Sequence, residues 1–196
     1  MKSFIMKMRQ SLLAFCLVAV PGFAQEFYVD WAGDSARLDY SPSNAYQAGL
    51  PWGVDVYWNS DRDLLSGLYL ATPFEGSGFT AWLFSAEVAL FYLSLDDADA
   101  STAGVSVSFS AGYKFLTPMP TSLIFTAEVS PDILNTGSDI EQLNQFSGRL
   151  QTELSPYLRG YLGYRLYSVD FDQVRFKHKD NFDFEDSFFL GFSLLF

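Results

Sequence analysis

The chain has 196 residues, a length suited to one domain, and 18% of them are aromatic, with 20 Phe and 11 Tyr. Hydrophobic residues make up 49%, yet past the N-terminal segment no apolar run is long enough for a membrane-spanning helix. The formal net charge of −11 disfavours nucleic acid as a partner and leaves no basic patch for phosphates.

Residues 1–24 read as a secretory signal peptide. Lys2, Lys7 and Arg9 give a basic start, Leu12 to Val20 an apolar core, and Gly22 and Ala24 the small residues before a cleavage site. The core is too short to span a bilayer. Cleavage after Ala24 starts the mature chain at Gln25 and leaves 9 basic against 23 acidic residues, since the leader removes three of the 12 bases and no acid, giving −14. Cys16, the only cysteine, lies inside the leader and follows Phe15, where a lipid-attachment site has a small residue. The mature chain is therefore expected to carry no lipid anchor, disulfide or thiolate metal site.

Residues 25–49 have strand character at Val29, Trp31, Leu38 and Tyr40, but the phase changes near Gly33 and Asp34. The segment reads as an extension, a plug or extra strand material. From residue 50 to 196 the pattern is that of membrane-crossing strands, in which one face meets lipid and the other a lumen. Trp52, Val54, Val56 and Trp58 oppose Asp55, and Leu64 to Thr72 is a less cleanly patterned strand. Trp82, Phe84, Ala86, Val88, Leu90 and Tyr92 form a stripe with Glu87 behind it. Ser94 to Ala103 reads as an acidic link; Asp96, Asp97 and Asp99 lack the glycine-anchored spacing of a calcium loop. Val105 to Phe115 alternates apolar residues with Ser106, Ser108, Ser110 and Lys114.

After a Pro-bearing turn, Leu123 to Ser130 opposes Phe125 and Val129 to Glu128. In the link from Pro131 to Leu143, Ser138-Asp139-Ile140-Glu141 has capping-box spacing and predicts a short helix. Asn144 to Leu154 carries Arg149 and Glu153 opposite Phe146 and Leu150; a turn at Pro156-Tyr157 leads to Leu158 to Ser168, with Arg159 and Arg165 inward. Ser168 to Asp183 is a charged link. Its His178, the only histidine, lies between Lys177 and Lys179 and reads as a solvated loop residue rather than a catalytic base. The last strand puts Phe184, Phe188, Leu190, Phe192, Leu194 and Phe196 on one face. Alternating aromatics ending on Phe196, with Phe192 before it, look like the signal read by the barrel-assembly machinery of bacterial outer membranes.

The expected fold is all-β: a transmembrane antiparallel up-and-down barrel of eight strands, the first near Pro51 to Asn59, with ten as the alternative. The expected lumen charges are Asp55, Glu87, Lys114, Glu128, Arg149, Glu153, Arg159 and Arg165. Four acids and four bases predict a salt-bridged, largely filled lumen, with a narrow ion-selecting conduit as the rival. Trp52, Trp58, Trp82, Tyr92, Tyr113 and Tyr157 fall near strand ends, where aromatic rings favour the bilayer interface. No catalytic residue, metal or cofactor is expected, and the chain reads as a monomer. Its expected partners are outer-membrane lipids, lipopolysaccharide and the assembly machinery. Surface binding through acidic loops and modification of lipid or lipopolysaccharide are the other functional classes left open.

Ser130-Pro131-Asp132-Ile133-Leu134 opens a polar loop after a strand, Gly163-Tyr164-Arg165-Leu166-Tyr167 sits in the penultimate strand, and a Gly-bearing apolar strand closes the chain. In these features the sequence resembles the YfaZ family of predicted outer-membrane proteins. The resemblance implies a barrel, sometimes described as porin-like, and supplies no catalytic residues.

Overall fold

A computed structural model describes residues 26–42, 52–75, 81–96, 100–115, 117–134, 136, 140–171 and 181–196, with the backbone alone at 73–75, 133, 140–141, 171 and 181–183. Ten strands account for nearly all of them: β1 (Glu26–Ala32), β2 (Ser35–Ser41), β3 (Trp52–Asn59), β4 (Leu64–Glu75), β5 (Trp82–Leu95), β6 (Ala100–Phe115), β7 (Thr121–Ser130), β8 (Ile140–Ser155), β9 (Leu158–Phe171) and β10 (Asn181–Leu195). Each strand pairs antiparallel with its sequence neighbours, and β1 pairs with β10, so the sheet closes into an up-and-down barrel.

The strand number is ten, the alternative, rather than the favoured eight. The difference lies at the N-terminal side. The phase change at Gly33 and Asp34 is a tight turn, with Gly33 at a φ of 37°, a left-handed conformation that glycine adopts without strain. β1 and β2 therefore form a hairpin. β1 lies against β10 from Glu26–Leu195 to Ala32–Phe189, and β2 lies against β3 from Ser35–Asn59 to Tyr40–Val54. A count from the C-terminal end misses this because strands of seven residues are shorter than the ~9–11 expected of a membrane strand.

Three expected links are shorter than the sequence suggested. β5 runs on to Leu95 and β6 begins at Ala100, so most of the acidic segment from Ser94 is strand. β9 reaches Phe171 and β10 begins at Asn181. The turn of helix after β7 falls at Asp132–Leu134, not at the capping box, because β8 already starts at Ile140. In these segments cross-strand pairing overrides local polarity. Residues 1–24, expected to be a leader, and His178 lie outside the described residues, as do Asp97 and Asp99.

Alternation sorts the side chains into two populations. Outside stand large apolar residues such as Phe188, Leu190 and Leu90, at 73%, 61% and 59% exposure. Inside stand polar residues such as Ser193, Ser106 and Arg165, at 0%, 1% and 3%. β10 breaks the simple alternation. Its register against β9 shifts between Asp183 and Glu185, a β-bulge that turns both Phe184 and Glu185 inward. Phe184 thus leaves the outer stripe predicted for it and packs on Tyr57 and Tyr167, with ring centroids 4.9 and 5.2 Å away.

Candidate functional site in the barrel lumen

The lumen has two zones. Toward the end away from β1's start and β10's finish, inward residues build an apolar cluster. Leu93, Leu95, Leu143 and Val169 are at most 2% exposed and cluster with Tyr57, Phe91, Ala100, Tyr167 and Phe184. These residues come from β3, β5, β6, β8, β9 and β10, with Leu65 of β4 packed against them, so the layer crosses the barrel. The adjoining β3–β4 turn is braced by Asp63, which is fully buried. Its carboxylate accepts from the Asn59 amide side chain and from the Asp96 backbone N–H, each at 2.9 Å.

Beneath the apolar layer lies a polar cavity of about 270 Å³ that reaches Glu26 and Ser41 at the other end. Glycines make room for the rings that border it. A Cβ on Gly163 would stand 2.4 Å from the Phe189 ring, and one on Gly191 would stand 2.5 Å from the Tyr161 ring. Those close approaches let Phe189 and Tyr161 lie across the interior, 6.1 Å apart by centroid.

Among the expected lumen charges, all eight project inward, and the barrel adds five: Glu26, Asp30, Arg37, Asp39 and Glu185. Arg165 holds Asp30 at 2.8 Å and Glu185 at 3.3 Å, all three nearly excluded from solvent. Glu185 also accepts from the Tyr57 hydroxyl at 2.5 Å and from the Ser187 hydroxyl at 2.7 Å. The Arg165 guanidinium stacks over the Phe189 ring, 4.5 Å from its centroid. Arg37 bridges Asp55 at 3.2 Å and Asp39 at 3.6 Å, and Tyr69 donates to Asp39 at 2.9 Å. At the open end, Lys114 pairs with Glu153 at 3.1 Å and Arg159 with Glu26 at 2.9 Å. Buried carboxylates and guanidinium groups survive here because each loss of hydration is met by an opposite charge and further hydrogen bonds.

Three of the expected charges stay outside these pairs. Glu87 and Glu128 make no ion pair among the described residues; they face each other across Ser108, which is the register partner of both. Arg149 also has no carboxylate partner among the described residues. It lies 5.8 Å from the ring centroids of both Tyr28 and Tyr161, within cation–π range.

Four of the five added charges had readable signals. Glu26, Asp30, Arg37 and Asp39 alternate with apolar residues on either side of the Gly33–Asp34 turn, so treating that turn as a hairpin finds them. Glu185 was hidden by the bulge, which sequence alternation does not reveal. No group of three or more His, Cys, Asp or Glu residues suited to a metal occurs among the described residues.

Fold and lumen together define an up-and-down barrel of ten strands with an ion-paired polar interior and an apolar outside. No protein-family model matches the chain, and no curated protein matches it in sequence.

Proposed function

We propose that the chain is an integral outer-membrane barrel of structural rather than conducting kind, with a lumen closed to through-flow. The observation that carries this reading is the inverted distribution of polarity. A water-soluble barrel hides its large apolar residues, whereas here they cover the outside and the charges fill the inside. Outward aromatics add a scale. Trp52, Trp82, Tyr113 and Tyr157 lie toward the terminal end, and Trp58 and Tyr92 toward the far end, joined there by Trp31, which the sequence reading did not include. Trp82 and Tyr92 share the outer face of β5. About ten residues at ~3.4 Å each, tilted by ~40°, span about 26 Å, close to the ~25 Å apolar band of outer-membrane barrels. The secretory leader and the YfaZ-like motifs point to the same compartment, where lipopolysaccharide and the assembly machinery are the partners.

The apolar layer supports closure, since water and ions would have to pass a cluster of fully buried Leu and Val side chains. Expression of the whole chain in a Gram-negative host, followed by membrane fractionation and gel mobility with and without heating, tests the location. A heat-modifiable band in the outer-membrane fraction is expected; a detergent-free soluble periplasmic protein would overturn the reading. Planar-bilayer recording tests closure: no steady conductance steps are expected, and reproducible steps would show an open channel.

A further inference from the structure

Among the described residues, the ion pairs of the lumen leave charges of both signs without an ion-pair partner around one cavity. Glu87 and Glu128 stand on β5 and β7 with only Ser108 between them. Arg149 stands on β8, flanked by Tyr28 and Tyr161, and its buried Nε has no hydrogen-bond partner among the described residues. All six of these residues border the same space of about 270 Å³. Charges removed from bulk water stay costly until an opposite charge meets them. The cavity is near the small end of ligand pockets, which begin at ~300 Å³, and it combines aromatic walls with a few convergent polar groups.

We propose that this chamber binds a small zwitterion whose two charged groups stand well apart. Its ammonium lies between Glu87 and Glu128, and its anionic group takes the Arg149 guanidinium. The register sets the spacing. Glu128 pairs with Gln145, and Arg149 lies four residues further along the inner face of β8. That offset is about 13 Å along the strand. The α-ammonium and α-carboxylate of an amino acid are attached to one carbon and cannot meet the two sites together. A linear ω-amino acid or a short peptide can. The tyrosine rings of Tyr28 and Tyr161 hold the guanidinium in place, and the connecting chain of the ligand lies along them. Entry is from the end that holds Glu26 and Ser41, because the apolar layer shuts the other.

The inference rests on the closed-lumen reading, and the two fail differently. Bilayer conductance would break that reading, whereas absent binding in a non-conducting barrel overturns the ligand alone. The experiment is calorimetric titration of the intact barrel in detergent with 6-aminohexanoate, n-hexylamine, hexanoate and glycine. Saturable one-to-one binding of 6-aminohexanoate, at least tenfold tighter than the other three, is expected. Arg149→Gln and the double change Glu87→Gln/Glu128→Gln should each weaken it at least tenfold. Hexylamine binding should be insensitive to Arg149→Gln. No saturable heat, equal binding of hexylamine, or unchanged binding in both variants would overturn the proposal. Should a variant fail to give the compact heat-modifiable form, the ranking of the four probes on the unaltered barrel decides.

Discussion

Arg165 is the residue on which most of the buried charge depends. Asp30 and Glu185 both point at it, and neither has another cationic partner among the described residues. Replacement by methionine keeps length and removes charge, leaving two carboxylates uncompensated. Breaking a buried pair in this way costs ~3–5 kcal/mol. Arg165→Met should lower the urea midpoint of the refolded barrel accordingly. Adding Asp30→Asn and Glu185→Gln should restore part of the loss, because neutral amides are cheaper to bury than lone carboxylates. An unchanged midpoint in the single variant would mean that water, rather than Arg165, satisfies those carboxylates. The exposed pair Arg62–Asp96, at 3.3 Å, is different: both partners are more than half exposed, and such a pair contributes little.

β10 shows best how an element follows from its sequence and where the sequence stops being enough. From Phe188 to Leu194 its alternation reads directly, because successive residues alternate between an apolar outside and a packed lumen. The charges on β3, β5, β6, β7, β8 and β9 were legible for the same reason. The bulge before Glu185 was not, since it is set by the register against β9 rather than by any local pattern. Its effect is large, for it sends Phe184 into the apolar layer and Glu185 to Arg165. The layer itself was invisible as a unit, because its members are single residues scattered over several strands. Tyr167 was readable as inward, but Leu95, Ala100, Leu143 and Val169 fell in segments that read as links, Phe184 fell on the outer stripe, and the common height of the set left no local signal. If the layer is what closes the lumen, Leu93→Ser/Val169→Ser/Phe184→Ser should convert a silent barrel into one with measurable bilayer conductance. A silent triple variant that still runs as a compact, heat-modifiable band would place the seal elsewhere.

At the scale of the whole molecule, residues 26–41 are two of the ten staves and not an appendage. They bring Asp30 to Arg165, Arg37 to Asp55 and Glu26 to Arg159, ion pairs that tie the hairpin to β3 and β9. Deleting 26–41 should therefore abolish the heat-modifiable compact form, not merely lower its stability. Gel mobility of the refolded deletion variant checks this. A barrel that closes without the hairpin would show that β3 and β10 can pair directly.

The pairing of Glu26 with Leu195 also has a temporal meaning. Every other neighbouring pair of strands joins segments close along the chain and can form as soon as its hairpin exists. The seam alone joins partners at opposite limits of the described chain, and its loop-closure entropy cannot be recovered until all the intervening strands are in register. Until then β1 and β10 present unpaired edges, the surfaces most prone to join the wrong neighbour. The step that completes this protein is thus its slowest and most hazardous contact, and an escort that shields two strand edges would act there.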